Sequence, residues 1–456
     1  MKRLLSALLA AGLLLSCAAC GQVTPAPGAS PEQRPAQTGT DAQTNTDAPV
    51  PATENENTPA PANPDPPAPT DGPAIAELTA DTKGYAVPGL EVLPPREALG
   101  SFALELLRRS EGENPVVSPL SAWFALAMAG AGSAGQTAEE FAALLGVDPD
   151  RLGLAAGCLA TVLGMREDSD SLTLRAANSA WVDSSATIRE DYLRRLAMEF
   201  SASLFAGTLS SREALEAMNG WVNEQTEGLI PRLFEEPLDG LDRLVLINTL
   251  YMKARWRDPF EPFATHEQEF RTEDGVINAP FMGRTAYMDY LSGEGYAGVV
   301  LPYADSSLSF VALLPQSGTA RELLASLTAE ELAALPESAA SARVSLRLPK
   351  FSVECGQELN APLQAMGLVS AFDADTADFS PMSPEPLYIG RVLQKVKLIV
   401  DEEGTEAAAA TAVEMRAGSA LIEEEPIPLV FDEPFVYAVT DSRSGAVLFA
   451  GILDRP

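Results

Sequence analysis

The chain has 456 residues and a formal net charge of −33, with 31 lysines and arginines against 64 aspartates and glutamates. Such an acidic surface repels phosphate backbones and anionic lipid headgroups, so neither nucleic-acid binding nor electrostatic docking on a membrane is expected. The one histidine, His266, lies in a polar stretch, which argues against a Ser/His/Asp hydrolase and against metal sites built from several histidines. We therefore expect no catalytic residue, no metal and no cofactor.

The N-terminus has the layout of an export signal. Two basic residues are followed by an apolar run, residues 4–15, that is too short to span a bilayer. Residues 13–17 resemble a bacterial lipobox, which would place a lipid on Cys17; Cys20 is the alternative acceptor, and an ordinary cleaved signal is a third reading. We predict a signal peptide over residues 1–16 and an exported chain, lipid-anchored at the cell surface or extracellular, that meets the membrane through its lipid alone.

The next segment lacks the residues needed to build a core. From residue 21 to about residue 73 it is dominated by Pro, Ala, Thr, Asn, Gln and Asp, which predicts disorder. We assign residues 17–89 to a disordered stalk rich in Pro, Ala and Thr. The stalk would hold a folded head, residues 90–456, away from the membrane.

Helical patterns open the head. Apolar residues at helical spacing predict its first helix: Leu99, Phe102, Ala103, Leu106 and Leu107. Ser118 before Pro119 predicts the cap and first position of a second helix. Capping boxes predict two more helices, and they pair Thr137 with Glu140 and Ser210 with Glu213.

Two near-miss motifs overlap after the second helix. Residues 130–137 imitate a phosphate-binding loop, but Gln136 stands where the chemistry requires lysine, and a helix rather than a strand precedes them. Residues 131–135 imitate a nucleophile elbow that lacks its first glycine. We interpret both as a turn between two helices.

Strand patterns dominate the second half. Residues 244–252 are nearly all apolar, which is typical of a strand buried on both faces. Residues 343–348 and 391–400 alternate between apolar and polar, which predicts strands with one solvated face. Short apolar runs follow at 427–431, 435–439 and 446–452. Helices gather early and strands late, without a βαβ repeat, so we predict the α+β class with large sheets.

Residues 401–419 are compatible with two structures. Four consecutive alanines favour a helix by propensity. At period two, however, one face carries no charge, because it consists of Thr405, Ala407, Ala409, Thr411, Val413 and Met415. Glu406, Glu414 and Arg416 fall on the other face, as in a strand that lies in a sheet with one side in the core. The pattern predicts a segment that changes state.

This segment resembles the hinge of the reactive loop in serpins, the serine protease inhibitor family. The matching hinge residues are Glu402, Gly404, Thr405, Glu406, Ala407, Ala408, Ala409, Ala410 and Thr411. Residues 114–145, 219–230, 246–260 and 431–439 resemble further blocks of the family in the same order. The resemblance implies the serpin fold, with helices packed around three β-sheets and an exposed reactive-centre loop.

The resemblance also implies a function. The chain would be a protease inhibitor and not an enzyme: a serine protease cuts the loop, forms a covalent acyl complex, and is trapped when the loop inserts into the central sheet. Ser118, Ser121, Asn248 and Gln394 match the family's shutter, where Gln394 replaces a histidine of many members. Trp256 matches the breach, where Lys350 is expected to pair with Glu402.

The family's usual spacing from the hinge places the cut between Gly418 and Ser419, whose small neighbours suit an elastase-like or subtilisin-like protease. Because the loop is longer than usual, a cut between Arg416 and Ala417 by a trypsin-like protease is the alternative. The alternative function is that of a non-inhibitory serpin-fold binding protein. We expect a monomer, and no heparin binding because residues 148–170 are acidic and apolar.

Overall fold

The computed structural model of the chain describes residues 74–83, 93–163, 165, 169–304, 306–405 and 425–456. Cys17, Cys20 and the predicted signal peptide lie outside these residues. The hinge beyond Thr405 and both candidate scissile bonds, Arg416–Ala417 and Gly418–Ser419, lie outside them as well.

Nine α-helices form in the described part of the chain, most of them in its first half. They are α1 (Arg96–Arg108), α2 (Pro119–Gly130), α3 (Gly135–Leu145), α4 (Leu152–Val162), α5 (Glu190–Arg195), α6 (Arg212–Gln225), α7 (Ala320–Ser326), α8 (Ala329–Ser338) and α9 (Asn360–Ala365). A π-helical turn, Leu196–Phe200, extends α5. None of these helices is long and apolar enough to cross a bilayer.

The helix starts agree only partly with the sequence patterns. Ser118 and Pro119 take the predicted positions at the start of α2. The box predicted for Thr137 is wrong, because α3 already begins at Gly135 and the Thr137 hydroxyl instead bonds Ser370 and the amide of Asp378. The cap of α6 is Ser211, one residue beyond the predicted Ser210, and its hydroxyl accepts from the amide of Ala214.

Sixteen strands complete the described architecture. They are β1 (Ala76–Leu78), β2 (Val116–Val117), β3 (Leu172–Asp183), β4 (Ser203–Gly207), β5 (Leu244–Arg255), β6 (His266–Thr272), β7 (Gly275–Gly293), β8 (Tyr296–Pro302), β9 (Leu308–Pro315), β10 (Ala340–Pro349), β11 (Phe351–Glu358), β12 (Ile389–Val400), β13 (Gly404–Thr405), β14 (Ile427–Val430), β15 (Phe435–Asp441) and β16 (Val447–Leu453).

The strands form two hydrogen-bonded sheets. The seven-stranded sheet has the order β1-β4-β3-β5-β13-β12-β11. The nine-stranded sheet has the order β14-β10-β7-β8-β9-β15-β16-β2, with β6 attached to β7. Three sheets were expected, and two of them merge here because β7 is continuous over 19 residues and pairs with β6 and β10 before it reaches β8.

The apolar strand β5 lies in the middle of the seven-stranded sheet, as its composition predicts. Residues 244–252 are all buried, with α2 packed nearby in the main core. A second hydrophobic cluster lies under α6, where Met218 and Val222 meet Val245 and Ile247 of β5. Burial on both faces explains why this strand alternates so little.

Part of the predicted disordered stalk forms the N-terminal edge strand of the seven-stranded sheet. Within residues 17–89, β1 pairs antiparallel with β4, and Ser203 Oγ donates a hydrogen bond of 2.8 Å to Glu77. Ile75 packs on the cluster under α6, and Leu78 packs on the main core. Two apolar residues suffice because β4 supplies a preformed edge with unpaired backbone groups. Disorder is therefore the wrong prediction for residues 74–83.

Candidate functional site

The candidate site is the seam between β5 and β12. At its lower end the two strands pair directly and in parallel, from Leu244 opposite Ile389 to Asn248 opposite Gln394. At its upper end β13 lies between them, with Thr405 opposite Ala254 on β5 and Val400 on β12. Residues 249–253 and 395–399 face each other across the seam without direct pairing in the register. The seam is thus open at the end where β13 enters.

Thr405 is held at the upper end by a buried aromatic pair. Its hydroxyl and that of Tyr303 share a hydrogen bond of 2.5 Å. The Tyr303 ring stacks on Trp256 with ring centroids 4.6 Å apart, and the Trp256 indole N–H donates to the carbonyl of Asp401. Burial raises the pKa of the Tyr303 phenol, and the bond to Thr405 only partly opposes this, so the phenol stays neutral. The stacked pair thus packs beside β13 and holds Thr405 in place.

The turn before β13 is fixed by polar contacts. Lys350 Nζ lies 2.6 Å from a carboxylate oxygen of Glu402, and Thr265 Oγ1 donates to the other oxygen at 2.8 Å. Asp401 Oδ1 accepts from the amides of Glu403 and Gly404. Burial raises the pKa of the Glu402 carboxyl, but the bonds from Lys350 and Thr265 outweigh burial and hold that pKa below its usual value. The structure thus brings Trp256, Lys350 and Glu402 together around the entry to the seam.

This carboxyl makes the hinge sensitive to acid. A lowered folded-state pKa means that the ion pair stabilises the protein above the unfolded-state pKa of about 4.3, and that this stability is lost as the pH falls through the folded value. Glu402→Gln is therefore expected to lower the thermal midpoint at pH 7, with a difference from the wild type that shrinks towards pH 3. Thermal unfolding followed across this range measures it.

Glu403→Gln is the matched control, because Glu403 lies 3.7 Å from Arg255, farther than Lys350 lies from Glu402. Its effect at pH 7 should be smaller. A difference between Glu402→Gln and wild type that stays constant from pH 7 to pH 3 would contradict the assignment.

The predicted shutter residues lie at the lower end of the seam. Gln394 Oε1 accepts from the amide of Ser118 at 2.9 Å, and its Nε2 donates to the Ser118 carbonyl at 2.8 Å. The Ser118 hydroxyl donates to the carbonyl of Leu448. Gln394 therefore fastens β12 to the start of α2 with a side chain that does not titrate. Ser121 is buried one turn further along α2.

Asn248 lies opposite Gln394 in the register, but its side chain bonds β3 and not the start of α2. Its Nδ2 donates to Oδ1 of Asn178 on β3, and both residues are buried. Asn248 and Gln394 thus share one level of the sheet while they fasten different elements.

The sequence patterns did not predict three residues of the candidate site, Tyr303, Thr265 and Asp401. Tyr303 is brought to the hinge by an isolated bridge between its backbone and that of Trp256. That pairing joins segments far apart in the chain, and no local pattern reports it.

The sequence and fold are shared with known proteins. A sequence model of one family, described as serpin (serine protease inhibitor), matches residues 97–456. The chain belongs to the serpin family. It is 33% identical over 398 residues to an uncharacterized serpin-like protein of Thermococcus kodakarensis, which covers 85% of this chain and 92% of that protein. It is 31% identical over 373 residues to the leukocyte elastase inhibitor of Sus scrofa, covering 78% of this serpin and 97% of that protein.

A solved serpin confirms the fold. The crystal structure of the thermophilic serpin Tengpin in its native state superposes with a TM-score of 0.76 at 28% identity. The match covers 84% of this chain and 100% of that one. The predicted serpin family and α+β serpin fold are therefore both confirmed.

Proposed function

We propose that this serpin inhibits serine proteases by suicide-substrate trapping, with residues 406–424 as the bait. The observation that supports this most is the position of β13. The hinge enters the seam in antiparallel pairing with β5 and β12, and the seam beyond it is open. Insertion would thus extend a strand, β13, that is already present in the sheet.

The strands that flank the bait belong to different sheets. Thr405 ends β13 in the seven-stranded sheet, whereas β14 begins at Ile427 and pairs in parallel with β10 of the nine-stranded sheet. While both flanking strands stay paired, the intact segment is restrained from extending β13 down the seam. Cutting it between these ends frees the first part to extend β13.

The proposed chemistry is ordinary acyl transfer that stops at the acyl-enzyme ester. The protease serine oxygen adds to the carbonyl carbon of the scissile bond, the peptide nitrogen leaves with a proton, and an ester joins the two proteins. Insertion of the freed segment then carries the ester-linked protease along the sheet before water completes hydrolysis. The uncharged face that includes Ala407, Ala409 and Val413 would turn towards the core.

The bait sequence favours a target protease with a shallow specificity pocket. We propose that the scissile bond is the one between Gly418 and Ser419. An elastase-like or subtilisin-like enzyme would cut it, since the flanking residues are small. The relative named leukocyte elastase inhibitor agrees with this class. Arg416–Ala417 and a trypsin-like enzyme form the second candidate, because an arginine side chain suits an acidic pocket.

We propose that the serpin acts as an exported monomer, tethered through a lipid on Cys17, or on Cys20. The apolar run before these cysteines and the Pro-rich segment after them support this placement. The mass of the N-terminal peptide from cells that make the full chain reports whether a lipid is attached.

Trapping is tested on denaturing gels. The full chain, incubated with an elastase, a subtilisin and a trypsin in turn, is expected to give a covalent complex that survives denaturation with at least one of them. The mass of the released C-terminal fragment locates the cut, starting at Ser419 or at Ala417. Complete cleavage without any complex would favour a non-inhibitory binding protein.

A further inference from the structure

A cluster of charged side chains lies at the lower end of the seam, where β5 and β12 pair directly. Arg391 of β12 lies 3.0 Å from a carboxylate oxygen of Asp239, and its Nε lies 3.1 Å from Oδ2 of Asp242. Asp239 and Asp242 precede β5, which begins at Leu244. The arginine and the two carboxylates therefore belong to opposite sides of the seam. We call these three residues the clasp.

The carboxylate of Asp242 is buried and depends on Arg391. The residue is 6% exposed, and beyond this ion pair its Oδ2 has no hydrogen-bond partner among the described residues. Burial raises the pKa of the Asp242 carboxyl, and the charge of Arg391 opposes that rise. The neighbouring carboxylates of Asp239 and Glu358 raise the pKa further. A negative charge at this position thus needs the arginine, since an unpaired buried charge is costly.

The backbone of β12 leaves room for the buried carboxylate. The parallel register between β5 and β12 shifts between Ile389 and Arg391, which marks a bulge at Gly390. A Cβ on Gly390 would come within 2.5 Å of Oδ1 of Asp242. The glycine therefore lets Asp242 approach the strand closely enough to meet Arg391.

Two further side chains join β12 and the residue before it to the segment between α6 and β5. Tyr388 Oη donates to the carbonyl of Leu241 at 2.6 Å, and Lys395 Nζ donates to the carbonyl of Arg232 at 2.9 Å. Both are exposed hydrogen bonds to backbone oxygens. Arg391, by contrast, compensates a buried charge, so its loss should have the largest effect of the three.

A second ion pair at this end of the sheet does not cross the seam. Arg243 lies 2.9 Å from Asp183, the last residue of β3. Because β3 pairs with β5 along almost its whole length, this ion pair joins strands on one side of the seam. It supplies a control with the same chemistry in a different place.

We propose that the clasp holds the lower seam closed, and that breaking it lets β5 and β12 part while the rest of the protein stays folded. Direct pairing of the two strands is confined to residues 244–248 and 389–394, so one charged contact adds to only a short ladder. A strand that inserts between β5 and β12 would have to open the clasp. That consequence rests on the proposed function, whereas the closure itself does not.

Hydrogen-exchange mass spectrometry of the uncut full chain tests the clasp. Arg391→Gln leaves the Asp242 carboxylate without its cation, and it is expected to speed exchange in residues 389–394 about tenfold. The Arg391 side chain is 32% exposed, so a larger effect is not expected. Exchange in β8 and β9 of the other sheet should match the wild type, because the opening is local.

Two further variants separate the effect of charge from that of position. Combining Arg391→Gln with Asp242→Asn removes both charges, and exchange in residues 389–394 should return towards the wild-type rate. Arg243→Gln breaks the ion pair on one side of the seam. It should leave exchange in residues 389–394 unchanged.

Each outcome supports or overturns the clasp. A wild-type rate for residues 389–394 in Arg391→Gln overturns it, and so does faster exchange that extends equally to β8 and β9. An equal effect of Arg243→Gln, or no recovery when Asp242→Asn is added, overturns it as well. Denaturing gels test the proposed function separately. If the wild type forms no covalent complex with any protease, that function is overturned while the exchange result stands.

Discussion

Ala409→Glu is expected to abolish protease trapping while the loop is still cut. Continued from β13, the register places residue 409 between Leu250 of β5 and Val396 of β12, and both of these side chains are buried. A carboxylate inserted there would be unpaired, at a cost of about 3–5 kcal/mol. Denaturing gels should show loss of the covalent complex with cleavage retained, and cutting should no longer raise the thermal midpoint.

Ala408→Glu is the matched control, since it adds the same charge to the neighbouring alanine on the opposite face. The register places residue 408 beside Lys397, a partly exposed lysine on β12. This variant should still trap protease and gain stability when cut. Equal trapping by both glutamate variants would mean that residues 407–410 do not enter the seam.

Gly404→Ala is expected to displace β13 from the seam. A Cβ on Gly404 would overlap the carbonyl oxygen of Ala254, part of the backbone that β13 pairs with. Overpacking of this kind costs about 1–3 kcal/mol, and relief requires that the hinge move outward. The amides of Trp256 and Phe260, which donate to the carbonyls of Glu403 and Glu402, should exchange hydrogen faster. Hydrogen-exchange mass spectrometry reads both.

Gly356→Ala in the same sheet separates this effect from a general loss of stability. A Cβ on Gly356 of β11 would meet only the Lys395 side chain, at 3.7 Å and 3.8 Å. Exchange around Trp256 should match the wild type in this variant. If Gly404→Ala also left that exchange unchanged, the hinge would not be held as described.

Helices and strands were predictable wherever a single element carries its own pattern. The continuous apolar run of β5 and the alternation in β10 and β12 predicted strands, and α1 was predicted from the spacing that begins at Leu99. In each case burial on a defined face shapes the local sequence. For the bait segment, whose charges fall on one face, a strand stays a prediction, because residues 406–424 lie outside the described residues.

The remaining features depend on pairing between distant segments. β13 is two residues long and β1 is three, too short for any periodicity to appear. The alignment of Asn178, Asn248 and Gln394 requires the registers of three strands, and the bond from Tyr303 to Thr405 joins residues 102 positions apart. Such contacts are set by how the sheets assemble, and a single sequence does not report them.

The edge strand β1 has a mechanical consequence. The proposed loop insertion would move β5, β3 and β4 apart from β12, and β1 is hydrogen-bonded to that half of the sheet, whereas α1 packs against α8 and α2. Tension on the chain before Ile75 would therefore load the ladder between β1 and β4 before it reached α1. A tethered molecule would feel any pull first in the sheet that must open.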